Sequence, residues 1–380
     1  MTGSARDGAG TRPRHGSRLA RLASGVAPTV AVLALAFGVA AVIVLLAGSD
    51  PLRAIGALAQ GAFGGRYQIL TLLTKTCPLI LTGLAASLAF RTGFWNIGAE
   101  GQLIAGAIAA AATSFAIAAL PDAAHVPALM IPVSLAAAAA AGGALALAAA
   151  ALKLRRGAHE VITTILLNFV ALHFLSYCVN GPLQERAATQ PVSELIPAAA
   201  RLPRIAGSAN PLHAGIFIAV ALAIVAYWLL FRTAAGLELR AVGLAPNAAR
   251  HARIPVGSRI AAAALLSGGA AGLAGAIEIA GNLHRLYDKI SPGYGYTGIA
   301  VSLLARNHPL WVVPAAIFFG ALDAGSTRMQ REAGVSYLLV LVVQAIVIVA
   351  AAVAAARRAA PKNVSAGLEP EAAPLTGVAP

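Results

Sequence analysis

The chain has 380 residues, of which 59% are hydrophobic and only 11% are charged, and its mean hydropathy is +0.78. Soluble globular domains carry about a quarter of their residues as charged side chains, so this composition excludes them and indicates an integral membrane protein. The formal net charge of +14 follows the alternation of membrane segments instead of forming a patch, and we therefore expect no nucleic-acid partner.

Apolar stretches of membrane-spanning length recur along the whole chain. A span needs about 20 mostly apolar residues, and by that rule we count about ten. The predicted spans are 27–48, 68–90, 95–120, 126–152, 161–180, 212–231, 259–282, 294–306, 309–326 and 335–357. The eighth is too short to cross upright, so it is predicted to be half of a broken helix. The predicted fold class is all-α, a polytopic membrane helix bundle that contains broken helices.

Polar tails flank this bundle. Residues 1–24 and 359–380 are predicted to be disordered, and 25–358 to form one transmembrane domain. Most Lys and Arg residues fall on the connecting segments that share a side with the N-terminus. The positive-inside rule then places both tails in the cytoplasm, and membrane lipid surrounds the domain between them.

A polar run at 91–102 interrupts two apolar stretches with glycines and hydrogen-bonding side chains. Irregular backbone survives at membrane depth only where it is buried in protein or lines a water-filled cavity. We therefore predict that this first break lines a route for a polar solute, which indicates transport. Its predicted path residues are Phe94, Trp95, Asn96, Glu100 and Gln102.

A second break, 291–298, follows the seventh span, and its predicted path residues are Tyr294, Tyr296 and Thr297. The offset between the two breaks is that of a five-plus-five inverted repeat, an arrangement in which transporters place their site between interrupted helices. Tyr294, Tyr296 and Trp95 are suited either to stacking on a planar substrate or to anchoring helices, and the sequence leaves both open.

Ionisable residues inside predicted spans are candidates for the route. Glu100 either faces the route or pairs with a backbone N–H at the start of the third span. Glu278 and Asp323 either face the route, extend toward the headgroups or pair between helices. Lys75 is predicted to reach the outer headgroups, and His173 to be packed and hydrogen-bonded.

Enzymatic and metal-binding motifs are missing from the sequence. There is no CxxC spacing, no HExxH and no suitably placed nucleophile, so we predict no catalytic residue, no metal site and no enzyme. Gly293-x-Gly295-x-x-Gly298 matches the dinucleotide fingerprint in its residues alone. That fingerprint requires a strand before it and an amphipathic helix after it, whereas here membrane spans flank it. No P-loop occurs either, so no cofactor is expected here and any ATP must be bound by a separate subunit.

A basic connecting segment at 232–258 contains Pro246 and Asn247, which open a stretch, 247–253, predicted to form a short helix along the membrane. By itself, its charge is also explained by the topological bias of connecting segments.

Four stretches in order, 91–103, 157–168, 236–249 and 291–304, are similar to motifs of one family. They resemble those of ABC transporter permeases of the ribose/nucleoside (branched-chain-type) class, and most closely those of nucleoside (guanosine-type) importer permeases. The resemblance implies a permease subunit of an ATP-binding cassette importer in a bacterial plasma membrane, forming the path for nucleosides or simple sugars.

The same resemblance implies partners. These are a cytoplasmic ATP-binding cassette ATPase, a second permease that is identical or homologous, and an external substrate-binding lipoprotein. A helix near 244–253 would dock on the ATPase, and the implied coupling residues are Arg240, Gly243, Asn247, Arg250 and Arg253. The alternative is an ion-coupled secondary transporter of a small polar solute, with Glu100 or Asp323 as the coupling carboxylate.

Overall fold

The computed structural model describes residues 34–35, 38–46, 48–121, 126–187, 189–205, 207, 209–336, 338–346 and 349. This part of the chain is helical, apart from irregular connections and isolated β-bridges. The α-helices are α1 (Gly38–Leu46), α2 (Pro51–Phe63), α3 (Arg66–Arg91), α4 (Ala99–Ala118), α5 (Pro127–Arg156), α6 (Glu160–Val179), α7 (Gly215–Arg232), α8 (Ala234–Leu244), α9 (Pro246–His251), α10 (Val256–Glu278), α11 (Tyr294–Leu304), α12 (Pro309–Ala333) and α13 (338–346).

Seven helices of the described residues are long and apolar enough to cross a membrane. They are α3 to α7, α12, and α10 together with the π-helical turn Ile279–Leu283 that extends it, and they correspond to the second to seventh and the ninth predicted spans. The eighth span is the 11-residue α11, as expected for half a helix. The first and tenth predicted spans, and both tails, lie partly or wholly outside the described residues.

The core of the bundle forms around α10, which packs against α3, α4 and α5. Small residues allow these helices to touch backbone to backbone. A Cβ atom at Gly142 of α5 would lie 2.3 Å from the carbonyl oxygen of Gly268, and one at Gly106 of α4 would lie 2.2 Å from that of Gly272. Both contacts are to α10, so α10 is the helix on which α4 and α5 are positioned.

One helix, α2, escapes sequence prediction because its 13 residues are too few for a span. The Asp50 carboxylate accepts a hydrogen bond from the Leu52 N–H at 2.8 Å, and Pro51 occupies the first helical position. The helix packs on α12, where a Cβ atom at Gly61 would lie 2.9 Å from the Cα of Gly325. The helix α2 is therefore part of the bundle's packing.

Two predictions about ionisable residues are wrong. Lys75 does not reach for headgroups; its Nζ lies 2.7 Å from Asp323 Oδ2, because α12 presents that carboxylate to the same face of α3. Within the single chain His173 is exposed instead of packed, because it lies on the side of α6 turned away from the bundle. The Asp323 carboxylate is thus used for interhelical pairing, one of the roles that the sequence left open.

The long connection between α6 and α7 is irregular and folds over the end of α10. Ile196 N–H donates to the His284 carbonyl and Leu202 N–H to the Ala280 carbonyl, both at 2.9 Å. His213 is buried against Gly281, and burial, with smaller contributions from the charges of His284 and Arg204, lowers the pKa of His213 to about 4. This connection is therefore a packed cap built around a neutral histidine.

Candidate functional site

The two breaks meet in the middle of the bundle. The Gly295 N–H of α11 donates to Glu100 Oε2 of α4 at 2.7 Å, and a Cβ atom at Gly295 would lie 2.2 Å from the Glu100 nitrogen. Glu100 is only 8% exposed, so its carboxylate faces protein. Among the roles considered for Glu100, the structure shows pairing with a backbone N–H, but the donor belongs to the second break.

Local sequence explains where each break lies. In the first break, Gly93 has a φ of +73°, and Asn96 Oδ1 accepts from the Gly98 N–H at 2.9 Å just before α4 begins. In the second, Ser291 Oγ accepts from the N–H groups of Gly293 and Tyr294 at 3.1 and 3.0 Å. This capping starts α11 at Tyr294, the residue at which the eighth predicted span, 294–306, also begins.

A reciprocal amide pair holds the first break against α10. Asn96 Nδ2 donates to Gln102 Oε1 at 2.9 Å and to Ser267 Oγ at 2.8 Å, while Gln102 Nε2 donates back to Asn96 Oδ1 at 2.9 Å. All three side chains are 1% exposed or less. A fully satisfied buried network of this kind rigidifies the backbone that carries it.

Asn168 of α6 joins the two breaks, although sequence reasoning did not select it. Its Oδ1 accepts from the Gly101 N–H at 2.8 Å, and its Nδ2 donates to the Ile97 carbonyl at 3.0 Å and to the Tyr296 hydroxyl at 3.2 Å. The signal that could have found it is an amide in the middle of an apolar span, where an unpaired polar group is costly.

The aromatic candidates divide into buried and accessible residues. Phe94 and Tyr294 are buried, at 0% and 7% exposure, and Thr297 is half-buried. Trp95 and Tyr296 are 51% and 44% exposed, and so they are the accessible aromatic surfaces of the two breaks. Phe94 and Tyr294 are therefore part of the packed interior, whereas Trp95 and Tyr296 are available for a solute to contact.

The five coupling candidates divide in the same way. Asn247 and Arg250 lie exposed on α9, and Arg253 lies just beyond it, exposed and with a φ of +60°. Arg240 and Gly243 of α8 are turned toward the bundle: the Arg240 guanidinium contacts an aromatic ring of α7, and Gly243 packs on the backbone at the end of α3. The short helix predicted here forms, with bounds Pro246–His251.

Comparison with known proteins identifies the family. Residues 68–352 match the family described as branched-chain amino acid transport system / permease component. The glucose ABC transporter permease protein TsgB13 of Haloferax volcanii is 35% identical over 333 residues, which cover 85% of this chain and 86% of that protein. No solved structure matches the chain.

Two further relatives agree. The guanosine ABC transporter permease protein NupP of Bacillus subtilis is 36% identical over 327 residues, covering 86% of this chain and 92% of that protein. The nucleoside ABC transporter permease protein NupB of Lactococcus lactis is 30% identical over 326 residues, covering 83% and 88%. These matches do not support the ion-coupled alternative, and permeases of this kind work with an ATPase and a substrate-binding protein. The chain belongs to the family of branched-chain amino acid transport system permease components and is a multi-pass membrane permease subunit of an ABC transporter, not an enzyme.

Proposed function

We propose that this permease imports nucleosides or simple sugars across a bacterial plasma membrane, along a route that passes the joined breaks. The observation that carries the proposal is the contact between Gly295 N–H and Glu100 Oε2, which brings two glycine-bearing polar segments together among spanning helices. The relatives that are named as guanosine, nucleoside or glucose permeases support this substrate class. Trp95 and Tyr296 would stack on a base or a sugar ring as it passes.

The basic segment around α9 supports both an orientation of the permease in the membrane and a separate subunit that binds ATP. The exposed cations Arg250 and Arg253, with Leu244 at 87% exposure beside them, suit an acidic groove with an apolar floor on a cytoplasmic ATPase. That subunit would bind the ATP. Docking there puts α8, α9 and both termini in the cytoplasm, and leaves the packed cap between α6 and α7 outside, facing a substrate-binding lipoprotein.

A second permease subunit would cover the exposed face of α6. This face carries Ile162, Leu166, Phe169, Val170 and Tyr177 around His173. His173 lies about 9 Å along the helix from its end at Val179, so a lipid contact would leave an imidazole in hydrocarbon. The exposed large side chains of α7, by contrast, are Phe217, Ile224, Val225 and Trp228, which suit lipid.

Cross-linking tests this interface. We expect His173→Cys, treated in membranes with a short bifunctional maleimide, to give a cross-linked product of two permease subunits. The reason is that the exposed face of α6 would contact the same face of the second subunit. The matched control is Phe217→Cys on α7, which should not cross-link. The native Cys77 and Cys178 are buried, so the unmodified chain gives the background. A cross-link at 217 in the absence of one at 173 would move the interface to α7.

Uptake in reconstituted vesicles tests the proposed function itself. The complex of this permease with its ATPase, supplied with its substrate-binding protein and ATP, should take up labelled guanosine, another nucleoside or glucose. We expect Arg250→Glu with Arg253→Glu to abolish this uptake and to reduce copurification of the ATPase, because the charges at the dock are reversed.

The control for that double variant is Arg155→Glu with Arg156→Glu, which reverses two exposed cations at the end of α5, outside α8 and α9. It should keep both the ATPase and the uptake. Normal uptake by the 250/253 variant would exclude the docking role, and absence of uptake of every labelled nucleoside and sugar by the wild-type complex would exclude the substrate class.

A further inference from the structure

One aromatic ring lies where four segments converge at the α8–α9 end of the bundle. The Phe231 ring, at the end of α7, has the Arg91 guanidinium carbon 4.8 Å from its centroid and that of Arg240 5.0 Å from it. The His308 ring stacks on Phe231 with centroids 5.1 Å apart. Burial, together with the charge of Arg91, lowers the pKa of His308.

Each neighbour of the ring belongs to a different element. Arg91 is the last residue of α3 and the first residue of the break at 91–102, and Arg240 lies on α8, which leads into α9. His308 immediately precedes α12, in the turn at the opposite end of α11 from the second break. Phe231 therefore contacts the first residue of the first break, the far end of the helix that carries the second break, and the helix that leads into the segment proposed to receive the ATPase.

Two further contacts complete this cluster. Arg91 Nε donates to the Asn307 carbonyl, which ties the end of α3 to the turn between α11 and α12. Gly243 of α8 packs directly on the end of α3, where an added Cβ atom would lie 2.0 Å from the Arg91 carbonyl oxygen. At this separation α8 cannot move toward α3 without displacing its end, and Phe231 is the side chain that also links α8 to the α11–α12 turn.

We propose that Phe231 is a positioning residue that transmits the movement of α8 to both breaks, by holding Arg91, Arg240 and His308 on one ring. This inference rests on the proposed docking of the ATPase at α9. The negative face of an aromatic ring attracts a guanidinium group, and it also offsets part of the repulsion between two cations held close together. A shift of α8 changes the position of Arg240 over the ring and thereby pulls on the other two contacts.

The test compares two substitutions of the same residue in the complete complex. Phe231→Leu removes the π face and keeps an apolar side chain, whereas Phe231→Tyr keeps the ring. We expect Phe231→Leu to lower the amount of solute taken up per ATP hydrolysed by about tenfold, equivalent to about 1.4 kcal/mol of lost coupling. Phe231→Tyr should restore the ratio to within about twofold of the wild type.

The control is Phe217→Leu, on the same helix but 65% exposed at its other end, which should leave the ratio unchanged. A purely structural role for Phe231 would reduce assembly of the complex without changing the ratio in the complexes that form. If Phe231→Leu does not assemble, Arg240→Gln, which keeps the ring and removes one cation, must show the same fall in the ratio.

The outcomes separate this inference from the proposed function. Absence of uptake by the wild-type complex would reject the function, whatever Phe231 does. Uptake by the wild type together with an unchanged ratio in Phe231→Leu, or an equal loss in Phe231→Tyr, would reject only the role of the ring. An unchanged ratio in Arg240→Gln, where Phe231→Leu does not assemble, would reject it too.

Discussion

Gly295→Ala should give a permease that assembles poorly and does not transport. The added Cβ atom would lie 2.2 Å from the backbone nitrogen of Glu100 and 2.5 Å from its Cα, and backbone atoms cannot rotate away as a flexible side chain can. Relief requires α4 and α11 to separate, which also stretches the hydrogen bond from the Gly295 N–H to Glu100 Oε2. Overpacking of this kind costs about 1–3 kcal/mol, and here it acts on the contact that joins the breaks.

Packing, and not helix propensity, decides that Gly295→Ala destabilises the permease. Gly295 lies within α11, where alanine would otherwise be favoured over glycine by about 1 kcal/mol. The matched control is Gly56→Ala in α2, where nothing lies within 4 Å of the added Cβ atom, and this variant should be as stable as the wild type or slightly more stable. Thermal stability in detergent and uptake per complex are the two measurements. Equal stability and equal uptake of Gly295→Ala and Gly56→Ala would contradict a tight contact between the breaks.

Hydropathy alone predicts the spanning helices because each of them is a continuous apolar run whose length is set by the bilayer. The short eighth helix is predicted for the same reason, since 11 residues cannot cross. The missing element, α2, shows the limit of this signal. Its stability comes from an Asp50 cap and from small residues pressed on α12, and neither property raises the hydropathy of a window of spanning length.

The composition of the site is visible in the sequence, but its geometry is not. Glycines and amides mark both breaks, because polar backbone and side chains in hydrocarbon require a partner. Their partners, however, are distant in sequence: Ser267 for Asn96, and Gly295 for Glu100. Which candidates become buried supports and which stay accessible depends on this pairing, so the separation of Asn96 from Tyr296 into these two groups requires the fold.

For a similar reason, the sequence does not show which side of a membrane helix faces outward. In a soluble helix the polar side chains mark the exposed face, but the outward face of a membrane helix is as apolar as the core. On α6 the buried side therefore carries the amide of Asn168, while the outward side carries His173 among aliphatic and aromatic residues. The sequence therefore does not show on which side of α6 His173 lies.

Lys75→Met should destabilise the permease, whereas the double variant Lys75→Met with Asp323→Leu should recover most of the loss. Removal of Lys75 leaves the Asp323 carboxylate within the bundle without the ammonium that lies 2.7 Å from it. Breaking a fully buried pair costs roughly 3–5 kcal/mol, mainly because a charge is left unpaired. We expect a smaller loss here, because the side chains of Lys75 and Asp323 are 32% and 13% exposed.

The control for this cycle is the exposed pair Arg328–Glu332 of the same α12, with side chains 34% and 44% exposed. Arg328→Gln should cost only about 0.3–0.5 kcal/mol, as expected for a surface pair one helical turn apart. Thermal unfolding in detergent measures stability, and uptake per assembled complex measures function. A double variant that regains both would make the pair a structural link between α3 and α12. A double variant that regains stability but not uptake would mean that Asp323 also acts on the solute, another role that the sequence allows. A Lys75→Met protein as stable as the wild type would contradict the importance of the pair.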